Sequence, residues 1–150
     1  MNTYFTNKKV LVTGAAGFIG SQLCTALLAE GAYVTAVVRK NRISRQNSDS
    51  KTLSVKEMDL TDKKQVTTLV KNHTIIIHAA AVDGGTEFKR KHASKIFHEN
   101  IRMTMNIFEA LKKGRVEKVI FLSSAEVYSH LKNKKNISEE QFSLAAPAKQ

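Results

Sequence analysis

The sequence predicts a doubly wound α/β fold, about five parallel strands in the order 3-2-1-4-5 with helices on both faces. Three observations carry that prediction. Short apolar runs alternate with helix-period segments along the chain. Runs such as Ile75-Ile76-Ile77 lack the in-out alternation of a half-wet strand, so the sheet is expected to be buried on both faces. A glycine-spaced turn, Gly14-Ala15-Ala16-Gly17-Phe18-Ile19-Gly20, joins the first strand to the first helix.

The elements follow in order. Lys9 to Thr13 is valine-rich and ends at the glycine turn, which marks a buried strand. Phe18 to Glu30 carries Ile19, Leu23, Ala26, Leu27 and Ala29 at helical spacing, and Gly31 stops the helix. Tyr33 to Val38 is the second strand, 41–50 a basic loop, and Thr52 to Lys56 a short third strand. Asp59 to Asp62 leads into a helix that runs to about Val70, with Asp62 as its cap. Thr74 to Ala79 is the fourth strand, and Gly84-Gly85 marks a loop. Ala93 to Lys113 reads as a long amphipathic helix, with Ile96, Ile101, Met105, Phe108 and Leu111 expected inward. Val119 to Ser123 is the fifth strand, and beyond Tyr128 the chain turns polar and basic.

The 150 residues fit one domain with a sizeable core. With one proline and seven glycines, no linker or low-complexity stretch divides them. Cys24 is the single cysteine, so no internal disulfide can form, and its apolar helix face predicts a buried, inert thiol. Lys8-Lys9 before an apolar run imitates a signal peptide, but the glycine spacing suits a strand and turn better. Together these readings predict a cytoplasmic protein. The most apolar stretch, Thr74 to Val82, is far short of the roughly 20 residues a membrane span needs. The net charge of +11 attracts polyanions. The basic clusters nevertheless fall in loops and helix ends without interleaved aromatics, so nucleic acid is not the expected partner.

Each glycine of the turn has a physical use. Gly14 permits the tight turn off the strand, Gly17 leaves no side chain between backbone and an approaching phosphate, and Gly20 lets the helix pack closely on the sheet. The unpaired amides of the first helical turn then face a pyrophosphate. The flanking strand and helix supply the context such a glycine pattern requires.

TGAAGFIG resembles the signature of extended short-chain dehydrogenases/reductases, the NAD-dependent nucleotide-sugar epimerases and dehydratases. Further matches fall in order. Asp59-Leu60 resembles the family's adenine-contacting pair, and His78-Ala79-Ala80-Ala81 its element at the end of the fourth strand. Asn100, with Thr104 and Asn106, resembles its central helix pattern, and Phe121 to Tyr128 its serine-bearing fifth-strand element. The resemblance implies a Rossmann domain. It implies a nicotinamide dinucleotide bound by Gly14, Ala16, Gly17, Phe18, Ile19, Gly20, Asp59, Leu60, Ala79, Ala80, Ala81 and Asn100.

The family's acidic ribose-binding position falls on Val38, which has no carboxylate for a 2′-hydroxyl. Arg39 follows, with Lys40 and Arg42 close by, and a guanidinium there suits a 2′-phosphate. NADP is therefore expected over NAD.

The resemblance further implies Ser124 as the hydroxyl that polarises the substrate, working with a Tyr acid/base and a Lys that lowers the tyrosine pKa. That pair belongs to a YxxxK helix. The segment from Ile137 to Phe142 and Pro147 resembles its lead-in, and Gln150 falls about where the tyrosine is expected. Tyr128 and Lys132 fit YxxxK literally, but Tyr128 also completes the fifth-strand element, so they are not expected to be the pair. These 150 residues therefore read as the cofactor half and the serine, without acid/base or substrate lobe, and as inactive alone. Three rivals stay open: a carbonyl reductase of the same superfamily, a non-catalytic dinucleotide-binding or regulatory protein, and a basic nucleic-acid-binding module.

His73, His92, His98 and His130 show no ligand spacing, so no metal site is expected, and surface or helix roles are. His78, at a strand's carboxyl end, is expected to support packing rather than transfer protons. An open, apolar edge at the fifth strand predicts a homo-oligomer.

Overall fold

The computed structural model describes residues 3–40, 51–112, 114–124, 127–128 and 137–139. Arg42, the 41–50 loop, Lys132 and most of the 137–147 lead-in lie outside these residues. Five strands form one sheet: β1 (Lys9–Thr13), β2 (Tyr33–Val38), β3 (Leu53–Glu57), β4 (Ile75–His78) and β5 (Lys118–Phe121). All four pairings are parallel, and the order is β3-β2-β1-β4-β5. The helices are α1 (Phe18–Ala29), α2 (Lys63–Val70) and α3 (Thr86–Leu111).

Alternate residues of the central strands feed two separate cores. Val10, Val12, Val34, Ala36, Ile75 and Ile77 pack with Cys24 and Leu27 of α1 on one face. Leu11, Val37 and Ile76 pack on the other with Val66, Leu69 and Val70 of α2 and Met103, Ile107 and Ala110 of α3. This double burial is why the strands read as unbroken apolar runs. Cys24 is buried as expected, and desolvation pushes its thiol up to about 11.

Several expectations need correction or extension. α3 reaches back to Thr86 across non-helical backbone at His92, and the part after that kink is the helix expected from Ala93. Its inward face also differs. Ile101, Met105 and Phe108 are exposed, while Met103, Asn106, Ile107 and Ala110 are buried, and Ile96 and Leu111 pack at the core's margin. The helix carries two apolar stripes, and the sheet takes the other one. β5 starts one residue earlier and stops at Phe121, and its burial is weaker than that of β4. His73 is buried, not superficial.

Candidate cofactor site

The glycine turn lies at the carboxyl end of β1, between its two neighbours β2 and β4. Gly14 has φ +70°, a left-handed conformation that L side chains rarely adopt. A Cβ there would also come within 2.8 Å of the Ala79 carbonyl group and of Ala80 Cα, so the turn presses directly on the loop after β4. A Cβ on Gly20 would meet the Gly14 carbonyl oxygen at 2.2 Å. Gly20 thus packs against the backbone of its own turn, which refines the expected helix-to-sheet role. Gly17 is the N-cap of α1 and caps no amide with a side chain. The helical ladder begins with the Ser21 amide donating to Gly17 at 3.0 Å, so the Phe18, Ile19 and Gly20 amides precede it. Ala16, Gly17, Phe18 and Ile19 are exposed around this cradle. Free amides, a positive helix end and the space left by missing Cβ atoms fit a diphosphate.

A buried polar chain ties β1 to the loop after β4. The Ala80 amide donates to Thr13 Oγ1 at 3.2 Å, and that hydroxyl lies 2.7 Å from His78 Nδ1. Burial pulls the His78 pKa down to about 4, so the ring is neutral near pH 7 and Nδ1 can accept the threonine proton. The expected supporting role of His78 agrees with this geometry.

α3 anchors the two remaining loops. The Asn100 carboxamide accepts from the Val82 amide at 2.7 Å and donates to the Val82 carbonyl at 3.0 Å. Asn106, buried, donates to the Leu60 carbonyl at 2.9 Å. Asp59 accepts from the Thr61 amide and hydroxyl, both at 2.8 Å, and these bonds hold its carboxyl below the usual range, with Arg39 and Arg102 adding positive charge. Asp62 caps α2 as expected, accepting from Lys64 and Gln65.

Val38 is buried in the α1 core, and Arg39 follows it at the carboxyl end of β2, exposed and 3.7 Å from Glu99. Ser124 lies just beyond β5, exposed, its carbonyl accepting from the Val127 amide at 3.2 Å. Gly14, Ala79 and Ala80 are thus brought into contact. Ala81, Leu60, Asp59 and Arg39 stand on neighbouring loops at the same edge of the sheet, and Asn100 acts on one of those loops. Thr13 opens the TGAAGFIG signature, but the sequence alone assigns it no role, because its partners Ala80 and His78 lie more than sixty residues away. Among the described residues no group of three or more His, Cys, Asp or Glu could hold a metal ion.

The family model described as the NAD dependent epimerase/dehydratase family matches residues 10–149. The chain belongs to that family. It is 32% identical over 131 residues to dTDP-4-dehydro-6-deoxy-D-allose reductase from a Streptomyces species, covering 83% of this chain and 40% of that protein. It is 34% identical over 123 residues to UDP-N-acetyl-alpha-D-glucosaminuronate decarboxylase from Bacillus cytotoxicus, covering 81% and 38%. The Bordetella bronchiseptica enzyme WbmH, solved with NAD+, superposes with a TM-score of 0.69 at 25% identity, covering 81% and 41%. The chain spans about two fifths of the length of these relatives.

Proposed function

We propose that these residues form the nicotinamide-dinucleotide-binding part of a nucleotide-sugar epimerase or dehydratase, with NADP preferred over NAD. The observation that carries the reading is the cradle at the end of β1, whose backbone approach to Ala79 and Ala80 only glycine at position 14 permits. Family membership and the NAD+ held by WbmH support a dinucleotide as the occupant. The amides of Phe18, Ile19 and Gly20 hold the pyrophosphate, while Asp59 and Leu60 line the adenine end. Arg39 exchanges its long contact with Glu99 for a 2′-phosphate. Asn100 serves as a positioning residue, holding the loop of Ala79, Ala80 and Ala81 through Val82.

When bound, the nicotinamide ring takes and returns hydride at a sugar carbon. Ser124 polarises the reacting sugar oxygen. Tyr128 and Lys132 are the one pair after Ser124 at YxxxK spacing within these residues. Lys132 lies outside the described residues. A homo-oligomer and a cytoplasmic setting complete the proposal. No helix among the described residues is long and apolar enough to cross a membrane.

Fluorescence titration with each dinucleotide tests the reading. NADPH should bind more tightly than NADH, and Arg39→Gln should cut the NADPH affinity about tenfold while sparing NADH, the worth of one charge-assisted bond. Equal affinities, or tighter NADH, defeat the NADP assignment, and no binding of either defeats the whole.

A further inference from the structure

Along the outer flank of the sheet, between α2 and the strands β2 and β3, runs a groove of about 620 Å3 that extends from the amino ends of the strands to Met58 and the first turn of α2. The amino-terminal residues of β1, β2 and β3, Lys9, Tyr33 and Leu53, line it, whereas the glycine turn follows the last residue of β1. Lys9 is four residues before the end of β1, about 13 Å from the glycine turn, while Met58 at the groove's other end directly precedes the Asp59-Leu60 loop.

The strand registers put Lys9, Tyr33, Thr35, Ser54 and Lys56 on the α2 face of the sheet, the face Leu11 and Val37 share. A parallel sheet is ordinarily apolar there, because helices cover it. Here the floor is polar and basic, and Lys64 of α2 and Lys51 add further charge at the walls. None of these four lysines joins an ion pair among the described residues, although lysines elsewhere on the molecule do. Like charges converge in a concavity, where low-dielectric walls focus their field. That field reaches the buried His73, whose pKa is lowered by burial first and by the charges of Lys56 and Lys9 as well. His73 itself is fixed, 2.8 Å from the Leu69 carbonyl and 2.8 Å from Thr35 Oγ1, so the groove has a rigid back wall.

We propose that this groove is a second anion site, separate from the glycine turn and adjoining the Asp59-Leu60 loop, for a small molecule carrying two or more phosphate groups. Lys9, Lys56 and Lys64 supply the charge, and the Ser54 and Thr68 hydroxyls supply neutral donors. The volume lies within the range of small-ligand pockets. A bound polyanion relieves the mutual repulsion of the lysines.

Inorganic tripolyphosphate is the probe, followed by amide NMR on the full chain. Shifts are expected at Thr35, Ser54 and Gln65, with Gly14 to Gly20 unchanged. ATP in a parallel titration separates a nucleotide source, which should bind more tightly by also using Tyr33 and Met58, from a free polyphosphate, which should bind equally. The double variant Lys56→Gln/Lys64→Gln should weaken binding at least tenfold with its melting temperature kept. The control Lys91→Gln/Lys112→Gln removes the same charge elsewhere and should change it less than twofold. Shifts confined to the glycine turn, no shifts at millimolar probe, or equal loss in both double variants would each overturn the site.

Discussion

Gly20 is held to glycine by a contact with no slack, since a methyl group would sit 2.2 Å from the Gly14 carbonyl oxygen. Gly20→Ala is expected to open the turn and weaken dinucleotide binding at least tenfold, read by fluorescence titration, and an unchanged affinity would refute the cradle. Thr13 works through hydrogen bonds instead. Thr13→Val keeps the shape but leaves the Ala80 amide and His78 Nδ1 without their shared partner, a loss of about 1–3 kcal/mol in urea unfolding. His78 adds a pH dependence. Its folded pKa of about 4 lies below the ordinary 6.5, so the unfolded chain takes up a proton that the folded chain refuses. Stability is therefore full above about pH 7 and declines as pH falls through that window, by about 3 kcal/mol at most from this group. His73, also lowered by burial, acts in the same direction. Unfolding free energies equal at about pH 7.5 and pH 5 would count against this. At this scale the glycines were legible because their spacing is the signal. The hydrogen-bonding role of Thr13 was not, although the residue opens the signature, because it comes from burial against β4 and the loop after it, distant in sequence.

At the scale of elements, α3 carries the organisation of the site. Asn100 and Asn106 reach from one helix to the backbones of two loops, after β4 and after β3, and each loop holds proposed cofactor contacts. Asn106→Leu preserves volume while cutting the bond to Leu60, so the Asp59-Leu60 loop should loosen. The expected result is several-fold weaker dinucleotide binding together with a lower melting temperature, the second because the Leu60 carbonyl loses its donor. If only the melting temperature moves, the loop does not touch the cofactor. The strands and their order were legible in the sequence, because runs such as Val10-Leu11-Val12 and Ile75-Ile76-Ile77 are apolar on both faces and helices separate them. The facing of α3 was not. Phe97, Ile101, Met105 and Phe108 recur at helical spacing just as a buried stripe would, and the stripe that does face the sheet includes the polar Asn106. Periodicity identifies an apolar face but cannot choose between two of them. The leading segment of α3 was not legible for a related reason: Thr86 to Lys91 holds a single apolar residue, Phe88, and is cut off by the non-helical backbone at His92, so it carries no period.

Across the whole molecule, the stripe that α3 turns outward and the open flank of β5 are continuous. Phe108 and Phe121 approach with ring centroids 6.5 Å apart, and Phe97, Ile101 and Met105 of the same α3 stripe remain exposed, while Ile120 is exposed on the opposite face of β5. Among the described residues β5 pairs only with β4, so its outer edge offers unpaired backbone groups beside this apolar surface. Burying such a patch against a copy of itself removes apolar area from water at about 25 cal/mol per Å2, and the +11 net charge of each copy opposes the approach. The two effects respond oppositely to salt, because screening weakens the repulsion and leaves the apolar gain in place. Sedimentation velocity at tens of micromolar should therefore show self-association that grows from about 0.05 M to 0.5 M salt. Phe97→Glu/Ile101→Glu puts two carboxylates into the patch at positions that contribute little to the core, with Phe97 69% exposed, and should restore a monomer without lowering the melting temperature. A wild-type chain that stays monomeric at both salts removes the proposed homo-oligomer. Association that survives the double variant moves the contact from the α3 face to the β5 edge, where Ile120→Lys would then be the deciding substitution.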